Sequence, residues 1–199
     1  MTTLIYIHGF LSSPQSFKAR AMSQWLASEQ PGINFQCPSL TPYAKDTAAT
    51  LENLVERAIT ANGGSVYLVG SSLGGFWATY LVEKYQLPAV LINPAVNIEV
   101  LMPNFIDIEL KSYYSQARYR LSSEDVQHLI HYNRSVIQYP ERYWLLVQQG
   151  DEVLDYRLAV EKYAGATQTI EANGNHSFEH FERYIPAIMD FFKQPTFNR

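Results

Sequence analysis

The chain predicts an α/β fold, a mainly parallel sheet of about six strands with helices on both faces. Three observations carry this. Short, continuous apolar runs rich in β-branched and aromatic residues recur along the chain, as strands buried on both faces require. Longer segments between them place apolar residues at helical spacing. Gly, Pro and Asn separate the two kinds of segment, the alternation expected of crossover helices joining parallel strands.

The first run, "TLIYIHG" from Thr3 to Gly9, ends in glycine and reads as a strand. In "SSPQSFKARAMSQWLASEQPG", Ser13 is placed to cap a helix, Pro14 suits its first position and Pro31-Gly32 stops it. "INFQCP" is a second strand. The following "DTAATLENLVERAITANGG" has Leu51, Leu54, Val55, Ala58 and Ile59 at helical spacing and Gly63-Gly64 as its terminus. "SVYLVGS", "AVLINPA", "YWLLVQQG" and "ATQTIEANG" supply strands three to six, the last being the weakest. "LGGFWATYLVEKYQLP" follows the third strand as a helix, and "DYRLAVEKYAG" bridges the final two. The closing "FERYIPAIMDFFK" reads as a helix kinked at Pro186.

From Val96 to Pro140 the rhythm fails. The segment is polar, tyrosine-rich (Tyr113, Tyr114, Tyr119, Tyr132, Tyr139) and helical in parts. It is expected to form a small helical cap, residues 96–140, over the carboxyl edge of the sheet, where ligands bind in such folds. Residues 1–199 therefore read as one domain with a cap insertion.

Composition narrows the function. With 47% hydrophobic and 17% charged residues the chain is of the globular class. A formal net charge of -4 argues against nucleic acid as a partner. No apolar run approaches a bilayer span, and "MTTLIYIHGF" lacks the basic start of a signal peptide. The single cysteine, Cys37, cannot form an internal disulfide and reads as core, which suits a cytoplasmic location.

The stretch "VGSSLGGFW" asks which serine matters. Gly70-Ser71-Ser72-Leu73-Gly74 satisfies G-x-S-x-G with Ser72 at its centre. A nucleophile on a sharp strand-to-helix turn leaves room only for small residues two positions before and after it. Around Ser72 those are Gly70 and Gly74; around Ser71 they are Val69 and Leu73, too large for that crossing. The Leu73 N–H then stands at a helix start, where free amides and the positive end of the dipole collect. A second oxyanion donor is expected after the first strand, from Phe10 beside Gly9. His8 reads as shaping that loop.

In this arrangement the acid and then the base follow the serine along the chain. "EANGNHSFEHF" offers His176 as base. "QQGDEVLDY" offers Asp151, Glu152 and Asp155 as acids, with Asp151 favoured at the strand end and Asp155 placed as a helix N-cap. The fourth strand ends in Asn93-Pro94-Ala95 and offers none.

Taken in order, the "HGF" loop, the "GSSLGG" elbow, "GDEVLDY" and "GNHSF" resemble an α/β-hydrolase. "IYIHGFLSSPQS", "VGSSLGGFWATYL", "INPAV", "GDEVLDYR" and "GNHSF" together resemble the small bacterial YqiA-like esterase family. The resemblance implies a hydrolase of acyl esters or thioesters, a small-molecule substrate and no cofactor, with Ser72, Asp151 and His176 as the triad. The cap contributes little to the match, so it supports the chemistry better than the substrate.

Two other readings fit parts of the same sequence. His176-Ser-Phe-Glu179-His180 fits H-x-x-E-H, an inverted zinc-hydrolase pattern, but needs both histidines on one helical face and a third ligand; Gly174 and Asn175 argue against it, and His180 reads as first-turn polarity in the last helix. A non-catalytic binding protein on the same fold is the other. His128 and His131 read as exposed cap residues.

Overall fold

The computed structural model describes residues 2–61 and 65–197. Six strands form one parallel sheet: β1 (Thr3–Ile7), β2 (Asn34–Gln36), β3 (Val66–Ser71), β4 (Ala89–Ile92), β7 (Tyr143–Gln148) and β8 (Thr167–Glu171), in spatial order β2-β1-β3-β4-β7-β8. Register runs Ile5 against Leu68, Leu68 against Ala89, Ala89 against Tyr143 and Leu145 against Gln168. β1 and β3 are interior strands, paired on both sides and buried throughout, which explains their unbroken apolar sequence. β8 forms an edge and is only partly covered, hence its weaker signal.

Alternating side chains feed two cores. Ile5, Ile7, Leu68, Leu91 and Leu145 point to one face, against α2 (Ala44–Thr60), α3 (Leu73–Tyr85) and α6 (Tyr156–Lys162). Leu4, Tyr6, Val69, Val90 and Leu146 point to the other, against α1 (Phe17–Glu29) and α7 (Ile185–Phe192). There the Tyr67 and Phe192 rings stack at 4.6 Å. Helices thus cover both faces, as the apolar runs require. Among the described residues no helix is long and apolar enough to cross a membrane.

Four sequence expectations shift. α1 begins at Phe17 with Ser16 at its cap position, because Ser13 Oγ accepts the Gln15 N–H at 3.0 Å and its carbonyl the Ser16 N–H at 3.1 Å, a local turn that competes with helix. Pro186 sits in the first turn of α7, where its missing N–H costs nothing, so it starts that helix; Phe181–Tyr184 form a separate 3-10 turn. The insertion holds α4 (Ile98–Leu101) and α5 (Ser123–His131), and also a hairpin of β5 (Leu110–Lys111) with β6 (Arg118–Tyr119), too short to leave a strand pattern. α2 starts two residues before Asp46, while its expected Gly63-Gly64 terminus lies outside the described residues.

Candidate active site

β3 and α3 meet at Ser72, whose backbone (φ 57°, ψ -122°) occupies a region that side chains other than glycine rarely adopt. Its surroundings hold it there. The Ser72 N–H donates to the Ile92 carbonyl at 3.0 Å, and its own carbonyl accepts from Gly75 (2.9 Å) and Ala95 (3.0 Å). A methyl group on Gly74 would lie 1.9 Å from the Ile7 carbonyl oxygen, and one on Gly70 2.3 Å from that of Gly74. Both glycines are therefore demanded by backbone packing, and the serine between them is the one that projects beyond the sheet.

A second segment arrives from the loop after β8. His176 Nε2 lies 3.0 Å from Ser72 Oγ, and its Nδ1 lies 2.8 Å and 3.0 Å from the two carboxylate oxygens of Asp151. An ionised carboxylate only accepts, so Nδ1 carries the proton and Nε2 faces the serine hydroxyl as an acceptor. Asp151 is itself fixed: its side chain is 2% exposed, and Oδ1 accepts the N–H groups of Val153 (2.9 Å) and Leu154 (2.8 Å). Asp155 is occupied elsewhere, capping α6 through the Arg157 N–H (3.0 Å) and pairing with the Arg157 guanidinium at 2.7 Å. Glu152 receives the His176 backbone N–H at 2.9 Å, a bond that holds its carboxyl below the usual range.

Two buried amides, neither singled out from sequence, support this loop. Asn93, at φ 41°, donates from Nδ2 to the carbonyls of Asn175 (3.0 Å) and His176 (3.1 Å) and accepts the Gln148 N–H at 3.0 Å. Gln148 Oε1 accepts from the Asn175 and Glu179 N–H groups at 3.1 and 2.8 Å, while Nε2 donates to the Glu179 carbonyl and the Glu171 carboxylate. The available signal was a polar residue closing an otherwise apolar strand, as in "LIN" and "LLVQ".

Phe10 and Leu73 line one cavity of about 770 Å³ together with Ser72 and His176. Gly9 passes so close to the serine that a methyl group there would sit 3.2 Å from Ser72 Cβ. Behind it, His8 is buried; Nδ1 faces the Gly9 carbonyl at 2.9 Å, Nε2 accepts the Leu40 N–H at 3.2 Å, and burial holds its pKa below the ordinary value. Those bonds make it a neutral brace for the loop. Cys37 is half-buried, and burial pushes its thiol up to about 12, so it stays protonated.

The other histidines stay apart. No helix spans residues 176–180, so the face that zinc ligation needs is not formed, and Glu179 Oε1 accepts from Asn175 Nδ2 at 2.9 Å. His180 precedes the 3-10 turn at φ 58°, one residue outside any helix. His131 is exposed as expected; His128 is half-buried, 3.6 Å from Glu124 one turn earlier. The insertion's tyrosines divide: Tyr132 packs on Trp77 and Tyr80, whereas Tyr113 and Tyr114 border the cavity.

A sheet of this order, with a strained serine after β3 and the histidine loop after β8, has the α/β-hydrolase fold. Solved structures with that likeness include Est1E from Butyrivibrio proteoclasticus, at a TM-score of 0.71 and 16% identity over 96% of this chain and 86% of that one. Another comes from the work on LipS and LipT, two metagenome-derived lipolytic enzymes, at 0.71 and 17% over 96% and 93%. Within the fold, residues 3–193 match the Uncharacterised protein family (UPF0227), and the chain belongs to that YqiA-like family. A UPF0227 protein of Serratia proteamaculans (strain 568) is 26% identical over 196 residues, covering 96% of this chain and 99% of that protein.

Proposed function

We propose that the protein is a serine hydrolase of carboxylic esters or acyl thioesters. The observation that carries this is one line of contacts: Ser72 Oγ to His176 Nε2 at 3.0 Å, and Nδ1 to Asp151 at 2.8 Å. Ser72 Oγ attacks the acyl carbon while His176 Nε2 takes its proton. The oxyanion is received by the Leu73 and Phe10 N–H groups, a pair in which each donor contributes on the order of 3 kcal/mol to the transition state. Asp151 stabilises the imidazolium. His176 then returns the proton to the departing alcohol or thiol, and a water that it deprotonates releases the acid from Ser72. The names of the structural relatives, an Est1E seen with ferulic acid and two lipolytic enzymes, are in keeping with ester chemistry.

Hydrolysis of a p-nitrophenyl butyrate series by wild type and Ser72→Ala tests the reading. The variant should lose at least about a thousandfold in kcat, and a serine-directed fluorophosphonate should label wild type alone. Equal rates would remove Ser72 from the mechanism.

A further inference from the structure

The cavity beside Ser72 is walled largely by apolar side chains, among them Phe10, Leu101, Met102, Phe105 and Leu154. Into it from the first turn of α1 comes Lys18. Its Nζ makes one hydrogen bond, to the carbonyl of Ser177, the residue that follows His176, at 2.7 Å. An ammonium has three N–H donors. Among the described residues no carboxylate lies within 4.0 Å of it. Burial pulls its pKa down to about 8, with the negative Asp151 opposing the fall.

A half-buried cation without a counter-ion is a costly arrangement, and holding one carbonyl would need only a neutral donor. The acidic side chains on the same rim do not answer the charge. Glu179 is engaged by Asn175 Nδ2, and Glu182 is exposed on the 3-10 turn. A carboxylate entering with the substrate would supply the opposite charge and take up the remaining N–H donors.

Resting on the serine-hydrolase reading, we infer that Lys18 is a specificity-determining residue that binds a carboxylate carried by the substrate. The preferred substrates are then esters bearing a second, ionised acid group on either the acyl or the leaving-group side.

Two pairs of esters separate the sides. The acyl pair is p-nitrophenyl pentanoate against the p-nitrophenyl monoester of glutaric acid. The leaving-group pair is the butyryl ester of 3-hydroxybenzamide against that of 3-hydroxybenzoate. In at least one pair, wild type should favour the charged ester in kcat/KM by about tenfold or more, chiefly through KM, as a charge-assisted hydrogen bond provides. Lys18→Met should collapse that ratio and Lys18→Arg should keep most of it; because each ratio is taken on one preparation, differences in folded fraction cancel. Ratios near one in both pairs for wild type overturn the inference. So does a Lys18→Met variant that slows charged and neutral esters alike, which would make Lys18 only a tether for Ser177. Absence of any turnover, with Ser72 unlabelled by the fluorophosphonate, defeats the serine-hydrolase reading itself.

Discussion

Replacing Asn93 by alanine should disable the site while leaving in place the three side chains proposed to carry the chemistry. The side chain is buried, and it joins the end of β7 to the loop carrying His176 through bonds to Gln148, Asn175 and His176 of 3.0, 3.0 and 3.1 Å. Its loss orphans the buried Gln148 N–H, at about 1–3 kcal/mol, and removes two further bonds of about 1 kcal/mol each. The backbone at φ 41° suits asparagine better than alanine, which adds about 1 kcal/mol. Water entering the gap offsets part of this, leaving about 3–5 kcal/mol. With a urea m-value of about 2–3 kcal/mol per molar for a chain of this size, the unfolding midpoint should fall by about 1–2.5 M. The catalytic effect is separate. A drift of about 1 Å in the His176 backbone costs on the order of a hundredfold in rate, and it should appear in kcat with KM little changed. Both are read on one preparation, by urea titration of tryptophan fluorescence and by steady-state hydrolysis of a short ester. A variant with wild-type midpoint and wild-type kcat would show that Asn93 holds nothing that matters.

The assignment of the acid separates two variants: Asp151→Asn should lower kcat by about 10⁴-fold by disfavouring the tautomer that His176 needs, whereas Asp155→Ala should lower the melting temperature while kcat stays within a few-fold. Stopped ester hydrolysis at one pH checks both, and the opposite ranking would transfer the acid to Asp155. Acid stability should carry the mark of His8. Because burial lowers its folded pKa beneath the ordinary 6.5, the unfolded chain takes up the proton first. Its contribution is whole above about pH 6.5 and is lost as pH falls below that value, until the folded histidine protonates as well. Urea midpoints between pH 7.5 and 5 should therefore decline more steeply in wild type than in His8→Gln, and parallel curves would refute the buried neutral imidazole.

Local sequence rules reached the elbow because its cause is local. A methyl on Gly70 or Gly74 collides with backbone, so the positions around Ser72 admit little else, and the pattern is visible in five residues. That the segments carrying His176 and Asp151 would meet Ser72 was legible for another reason: chain order restricts which loops can reach a serine after the third strand. Asn93 and Gln148 escaped because their role exists only once β4, β7 and the histidine loop are side by side. Along the chain they are merely polar ends of apolar strands, and Asn93 drew notice only for not being an acid. The hairpin β5–β6 escaped on length, since two residues per strand cannot display alternation. Ser13 misled because the hydroxyl that caps a helix equally well closes a turn two residues on, and local sequence does not decide between them.

The insertion and the oxyanion loop are not independent parts. The Tyr113 N–H, from the turn of the β5–β6 hairpin, donates to the Leu11 carbonyl at 3.0 Å, and Leu11 sits at φ 56° directly after Phe10. On the other side of that residue the Phe10 and Phe105 rings meet with centroids 5.2 Å apart. The backbone proposed to offer the second oxyanion N–H is therefore gripped from the cap at two points, by a hydrogen bond and by an aromatic contact. Under the proposed mechanism, a substrate that displaces Tyr113 or Phe105 would shift that donor as well, coupling the fit of the acyl group to the stabilisation of its transition state. The elbow is dictated by steric necessity, whereas under the proposed mechanism the cap's contacts with Phe10 and Leu11 would govern which substrates leave that amide in place.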